Sequence, residues 1–172
     1  MSADLYLVDA GWVLSAVAVA GTAYTLLAAL LVGRFMRKPP SAVRSCPAVT
    51  ILKPLHFGEP DLSRNLETFV TQDYDGPVQI VFGVQDPNDP ALAVVRALQA
   101  KYPAFDTAIV VDGARYGANA KVCNLINMLA AARHDTLVLS DSDISVGSLW
   151  LSQVTAALAR PGVGIVTCLY TG

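Results

Sequence analysis

Several chemistries leave no trace in this sequence of 172 residues. No Gly-x-Gly-x-x-Gly turn follows the first β-rich run and no Walker A loop is present, so dinucleotide redox and P-loop chemistry lack their phosphate cradles. The Gly-x-Ser-x-Gly elbow of the α/β-hydrolases is missing as well. Cysteine is scarce: Cys46, Cys123 and Cys168 are widely separated and form no Cys-x-x-Cys pair, which excludes a zinc site and a disulfide framework and points to reduced thiols in a cytosolic setting. There is no excess of basic residues. With a net charge of −2 and a pI near 5.5, the chain has no electrostatic footprint for nucleic acid, and none is expected as a partner. Charge of either sign is thin at 15%, against 53% hydrophobic residues and a mean hydropathy of +0.46, more apolar than an ordinary soluble domain.

One run explains much of that excess. Gly11 to Gly33 carries no charge, and as a helix its 23 residues would span roughly 35 Å, enough for a hydrocarbon core. Trp12 suits an interface. Arg34, Arg37, Lys38 and Arg44 follow the run, whereas the preceding tail holds Asp4 and Asp9 and neither Lys nor Arg. The positive-inside rule therefore puts the N-terminus outside and everything after Arg34 in the cytoplasm, in a single-pass arrangement at a bacterial inner membrane. A cleaved signal peptide is the rival, with Ala18-Val19-Ala20 resembling a cleavage site, but the basic n-region is absent and the run is too long. A buried core helix rarely runs so far without a polar face. Three segments follow: 1–33 as tail and membrane helix, 34–47 as a basic, proline-rich linker, and 48–172 as a folded domain.

In that domain, β-rich runs recur at Val49–Leu52, Val78–Val84, Ala108–Val111, Thr136–Leu139 and Val163–Leu169, their starts about 29 residues apart, near the length of one βα unit. Helical patterns fill the gaps. Leu62, Leu66, Phe69 and Val70 follow Asp61 as N-cap; Asp89-Pro90 opens a helix with Leu92, Val95 and Leu98 inward; Val122, Leu125, Ile126 and Leu129 form a third stripe; Leu149 to Leu158 supplies a fourth. This alternation implies an α/β domain with a mostly parallel, right-handed sheet, whose ligands bind beyond the carboxyl ends of the strands.

Polar residues gather at those ends. Lys53 to Pro60 follow the first run, Asp86 the second, Asn119-Ala120-Lys121-Val122-Cys123-Asn124 the third, and Ser140-Asp141-Ser142-Asp143 the fourth. If the chain stays extended past the fourth strand, Asp141 and Asp143 point to one face and their carboxylates can converge on Mg²⁺ or Mn²⁺ shared with substrate phosphates. Such an ion neutralises a departing nucleoside diphosphate. The plain alternative makes both aspartates caps of the following turn and helix. Asn119, Lys121 and Asn124 open a helix, where free N–H groups and a lysine attract phosphate, or where Asn119 simply caps a solvated first turn. Asp86 either accepts from a base or ribose or belongs to an Asp-Pro turn. Asp89, His56 and His134 read as structural.

Taken together, Val49-Thr50-Ile51-Leu52-Lys53-Pro54-Leu55-His56, Glu59-Pro60, Gln72-Asp73-Tyr74, Asp86, Asn119 to Leu125 and Leu139 to Ile144 resemble the ceramide glucosyltransferase family, glycosyltransferase family 21. The bacterial hopanoid biosynthesis-associated branch is the nearest in pattern, and Val163 to Tyr170 also fits. The resemblance covers nearly all of residues 1–172. It implies a GT-A-type, Rossmann-like fold and an inverting transfer of a sugar from a UDP-sugar donor to a lipid acceptor at a membrane. In that family's image Asp86 would hold the uridine part, Lys121 the nucleotide or diphosphate, Asp141 and Asp143 the ribose, diphosphate and metal, and Glu59 would border the pocket.

The family continues past this point with a further aspartate as general base, a Gln/Arg-x-x-Arg-Trp motif and more membrane helices. Inverting transfer needs a base to deprotonate the acceptor hydroxyl. The sequence offers no such residue, so the catalytic base is unassigned, expected beyond Gly172, and the chain is expected to be a fragment, inactive alone. A non-catalytic, membrane-tethered nucleotide-sugar-binding module and a polyprenyl-phosphate or processive glycosyltransferase with the same donor fold are the alternatives.

Overall fold

The structure, a computed structural model, describes residues 2–37 and 46–168. The chain divides into two compact units, Met1–Pro40 and Ser41–Gly172. The first holds a single helix, α1, from Ser2–Met36, 35 residues and so roughly 52 Å long. Its segment Gly11–Met36 has a mean hydropathy of 2.0, none of it buried within the protein, and is long and apolar enough to cross a bilayer. Two of its hydroxyls bond within the helix: Thr22 Oγ1 donates to the Ala18 carbonyl and Thr25 Oγ1 to that of Gly21. Arg34 in the last turn complements the negative end of the helix dipole. Much of the expected linker, residues 38–45, lies outside the described residues.

The second unit is a four-stranded parallel sheet, β1 (Val49–Pro54), β2 (Val78–Val84), β3 (Asp106–Val111) and β4 (Thr136–Leu139), in the order β3-β2-β1-β4. Parallel neighbours require crossovers, and helices supply them: α2 (Leu62–Val70), α3 (Ala91–Lys101) and α4 (Ala120–Leu129), with α5 (Trp150–Leu158) after β4. The order advances outward from β1 to β3 and then returns to the other side of β1. That reversal opens a crevice at the carboxyl ends of β1 and β4, where such sheets bind ligands. The register sets Leu52 of β1 opposite both Val81 of β2 and Leu139 of β4.

Strands covered on both faces explain the near-continuous apolar runs. One face packs Ile51, Ile80, Phe82 and Val138 against Leu66, Phe69, Val95 and Leu151 of the helices. The opposite face packs Leu52 and Val81 under Met128 of α4. Full burial of each such side chain contributes about 1.5–3 kcal/mol.

The fold class is as expected from the sequence, with local departures. The α4 stripe is turned: Val122, Ile126 and Leu129 are exposed, while Cys123, Asn124, Asn127 and Met128 face inward. The cause is polar: Asn124 Nδ2 donates to the Gly83 carbonyl at 2.9 Å, and Asn127 Nδ2 to those of Asp112 and Ala114. Gly83 permits this close seat, since a Cβ there would lie 2.4 Å from Met128 Sδ. The expected fifth strand does not form over residues 163–168, which pair with no described strand; Leu169 lies outside the described residues. Asp61 stands at the start of α2 without a side-chain cap bond, in the left-handed region at φ 61°.

Candidate functional site

A cavity of about 460 Å³ opens at the carboxyl ends of β1, β2 and β4, beside the first turn of α4. The loop after β1 brings His56 and Glu59 to it, the end of β2 brings Gln85, α4 brings Lys121 and Asn124, and the segment after β4 brings Asp141 and Asp143. The β1 loop is held by Asp89, whose Oδ2 accepts from the Phe57 N–H at 3.0 Å and whose Oδ1 accepts from the Ala91 N–H at the start of α3. Phe57 takes a φ of 57°, costly for a bulky side chain, so this tie is what keeps the loop over the crevice.

Beyond Leu139 the chain does not stay extended, as the reading of Asp141 and Asp143 assumed. It turns at Ser142 and Asp143, with the Ile144 N–H donating to the Asp141 carbonyl at 3.4 Å. Both aspartates line the cavity all the same. Asp141 is ion-paired with Lys121, each side chain about half exposed at 48%, so a cation already stands beside that carboxylate.

Beneath them lies Lys53, fully buried at 0% exposure. Its Nζ donates to the Asp141 carbonyl at 2.6 Å and the Ser140 hydroxyl at 3.2 Å, and stands 3.4 Å from the centre of the Phe69 ring. Burial lowers its pKa to about 7, against the opposing pull of Asp141, Asp143 and Glu59.

Three buried polar atoms of the cavity-lining residues have no protein partner: Glu59 Oε2, Gln85 Nε2 and Asn124 Oδ1. Buried polar groups nearly always find partners, so these three atoms stand out beside the cavity. The other expected residues sit elsewhere. Asp86 is not among the lining residues; its Oδ1 accepts from the Asn88 N–H at 2.8 Å, the turn reading, and Gln85 lines the cavity in its place. Asn119 is the N-cap of α4, its Oδ1 accepting from the Val122 N–H at 3.1 Å, and it too is absent from the lining.

Gln85, Arg115 and Ser142, which also line the cavity, escaped the sequence reading, as did the role of Lys53 beneath it. A lysine inside a strand apolar on both sides was the available signal for Lys53, because such a charge is buried only with partners. Among the described residues no group of three or more His, Cys, Asp or Glu side chains converges as a complete metal cage. Asp141, already paired with Lys121, and Asp143 are a partial set of hard oxygen donors, of the kind an ion completes with water and phosphate.

Comparison with known proteins agrees with this architecture. Residues 12–172 match the model described as Glycosyl transferase family 21. Ceramide glucosyltransferase of Candida albicans is 35% identical over 111 residues, covering 58% of this chain and 20% of that protein. The Komagataella phaffii ceramide glucosyltransferase is 34% identical over 116 residues, 65% and 23% of the two chains. Ceramide glucosyltransferase 3 of Caenorhabditis elegans is 30% identical over 124 residues, 72% and 27%. This chain thus spans about a fifth to a quarter of the curated relatives it matches. Among solved structures, a mannosyltransferase from Pyrobaculum calidifontis in complex with GDP-Man and Mn²⁺ superposes with a TM-score of 0.62 at 26% identity, over 91% of this chain and 47% of that one. The chain belongs to glycosyl transferase family 21.

Proposed function

We propose that this member of the family carries the donor-binding part of a membrane-anchored glycosyltransferase that moves a sugar, with inversion, from a UDP-sugar to a lipid hydroxyl of ceramide or hopanoid type. The observation that carries the reading is the convergence of Asp141, Asp143, Lys121 and the unpartnered atoms of Glu59, Gln85 and Asn124 on one cavity at the strand ends. The Mn²⁺ and GDP-Man of the mannosyltransferase structure support a nucleotide-sugar and metal site in a related fold.

Asp141 and Asp143 would hold Mg²⁺ or Mn²⁺, which when bound offsets the charge that develops on the departing diphosphate. Lys121, at the start of α4 and paired with Asp141, would meet a phosphate oxygen there. Gln85 Nε2 offers a donor, and Glu59 Oε2 and Asn124 Oδ1 offer acceptors, for the polar edges of base, ribose or sugar. The α1 helix anchors the chain with its N-terminus outside and Arg34 and Arg37 on the cytoplasmic side, which puts the cavity in the compartment that holds nucleotide sugars.

Calorimetric titration of the full chain in nanodiscs with UDP, UDP-glucose, UDP-N-acetylglucosamine and GDP-mannose, with and without Mn²⁺, tests this. UDP and at least one UDP-sugar bind tightly only with the metal, and Asp143→Ala weakens that binding by about tenfold or more while the protein stays folded. Equal affinity with and without metal, or an unaltered Asp143→Ala isotherm, sinks the reading.

A further inference from the structure

We propose that Lys53 is a positioning residue of the Asp-Ser-Asp turn, its ammonium tying the main chain of Asp141 to the end of β1 so that both carboxylates face one ligand. This rests on the reading of the cavity as a metal and nucleotide site.

The β1–β4 ladder ends with Leu52 opposite Leu139, and the Ser140 N–H donates to the Leu52 carbonyl at 3.2 Å. From there β4 departs into its turn, and the Lys53 side chain takes over the link. Its Nζ donates to the Asp141 carbonyl at 2.6 Å, which fixes the peptide between Asp141 and Ser142. A second hydrogen goes to Ser140 Oγ, and the Phe69 ring covers the remaining side at 3.4 Å. An ammonium has three hydrogens, and these contacts employ them all, so none is left for a ligand. The head group is enclosed, with the side chain at 0% exposure. Lys53 therefore acts through the turn and not on a substrate. An apolar side chain would fill this space without the desolvation a buried charge suffers, so the gain lies in what the charge holds. The same charge sits close enough to Asp141 and Asp143 to attract both, which eases their mutual repulsion before any metal arrives.

The experiment uses the full chain in nanodiscs, comparing wild type with Lys53→Met, of similar length and uncharged, and Ser140→Ala, which removes only the more distant acceptor. Amide hydrogen exchange at Ile144, whose N–H donates to the Asp141 carbonyl, reads the turn directly; UDP titration with and without Mn²⁺ reads the site. Lys53→Met speeds exchange at that amide and weakens Mn²⁺-supported UDP binding by about tenfold, leaving metal-free UDP affinity within about twofold; Ser140→Ala changes little. A folded Lys53→Met protein with wild-type exchange and wild-type Mn²⁺·UDP affinity overturns the proposal, as does Ser140→Ala loosening the turn equally. Should Lys53→Met not fold, wild-type NMR below pH 7 decides: slowly exchanging Lys53 ammonium protons with a coupling across the hydrogen bond to the Asp141 carbonyl carbon support it, and their absence refutes it. If wild type shows no metal-dependent nucleotide binding at all, the site reading fails, and the exchange data still judge the role of Lys53 in the turn.

Discussion

At the amino ends of the strands, buried polar groups close on one another. Thr50 Oγ1 donates to Gln79 Oε1 at 2.9 Å and accepts from the His134 N–H at 3.1 Å; Gln79 Oε1 also accepts from the Arg133 N–H, and Gln79 Nε2 donates to the Ala131 carbonyl. A cavity of about 420 Å³ lies at this end as well, yet none of its lining residues has an unpartnered buried polar atom, and its Arg133 is paired with Asp106 at 2.8 Å. At the carboxyl ends, Glu59, Gln85 and Asn124 each leave a buried polar atom open. Cavity size does not separate the two ends; satisfaction does. One further such atom among the described residues, Asn127 Oδ1, lies outside both cavities, so the contrast is between the linings of the two cavities.

The largest expected effect breaks the amino end. Gln79→Leu, close in volume, strands the Arg133 N–H and the Ala131 carbonyl and removes the Thr50 acceptor, costing about 2–4 kcal/mol of unfolding free energy in urea denaturation. Metal-supported UDP affinity of the folded fraction stays at the wild-type value, because the network is remote from the cavity. A loss below about 0.5 kcal/mol would mean that this end is as open as the other.

Next in size is a pH effect at the carboxyl end, where Lys53 is buried with its partners beneath the cavity. Burial depresses Lys53 from 10.5 to about 7. Between those values the unfolded chain keeps a proton that the folded chain has released, so raising the pH favours folding. In metal-free protein with chelator, unfolding free energy therefore climbs relative to Lys53→Met by up to about 1.4 kcal/mol per pH unit above pH 7, and the two curves run parallel below it. Parallel curves from pH 7 to pH 10 would show an ammonium that stays protonated when folded.

Where the sequence was legible, the signal was local. Apolar β-rich runs marked the four strands, and alternation with helices implied a parallel sheet before any pairing was known. Asp89 was read as a cap and is one, accepting from the Ala91 N–H. Asp141 and Asp143, placed after an apolar strand, do reach the cavity, although through a turn that extended geometry did not foresee. The failures share a cause: they depend on partners distant in sequence. The hydrophobicity of Val122, Ile126 and Leu129 pointed inward, but Asn124 and Asn127 win the inner face by reaching carbonyls of β2 and the loop after β3. Asp86 was read as a base or ribose contact or as part of a turn; its neighbour Gln85 lines the cavity, and only the backbone at the end of β2 decides which of the two does. Residues 163–168 have strand composition, yet a strand needs a neighbour and no described strand pairs with them.

The smallest expected effect gives the sharpest test of the two-ended picture. Glu59→Gln leaves the main-chain bonds of this loop untouched: the Glu59 N–H still donates to the Phe57 carbonyl at 3.1 Å, and the Glu59 carbonyl still accepts from the Leu62 N–H. No protein group partners Glu59 Oε2, so exchanging that oxygen for an amide removes no native bond. Unfolding free energy then shifts by less than about 0.5 kcal/mol, the range of a substitution that disturbs no packing or network. Metal-supported UDP-sugar affinity moves several-fold, because an acceptor placed for the ligand has become a donor. A destabilisation above about 1 kcal/mol with unchanged affinity would assign Glu59 to the fold, and with it the claim that open polarity marks the ligand end would fail.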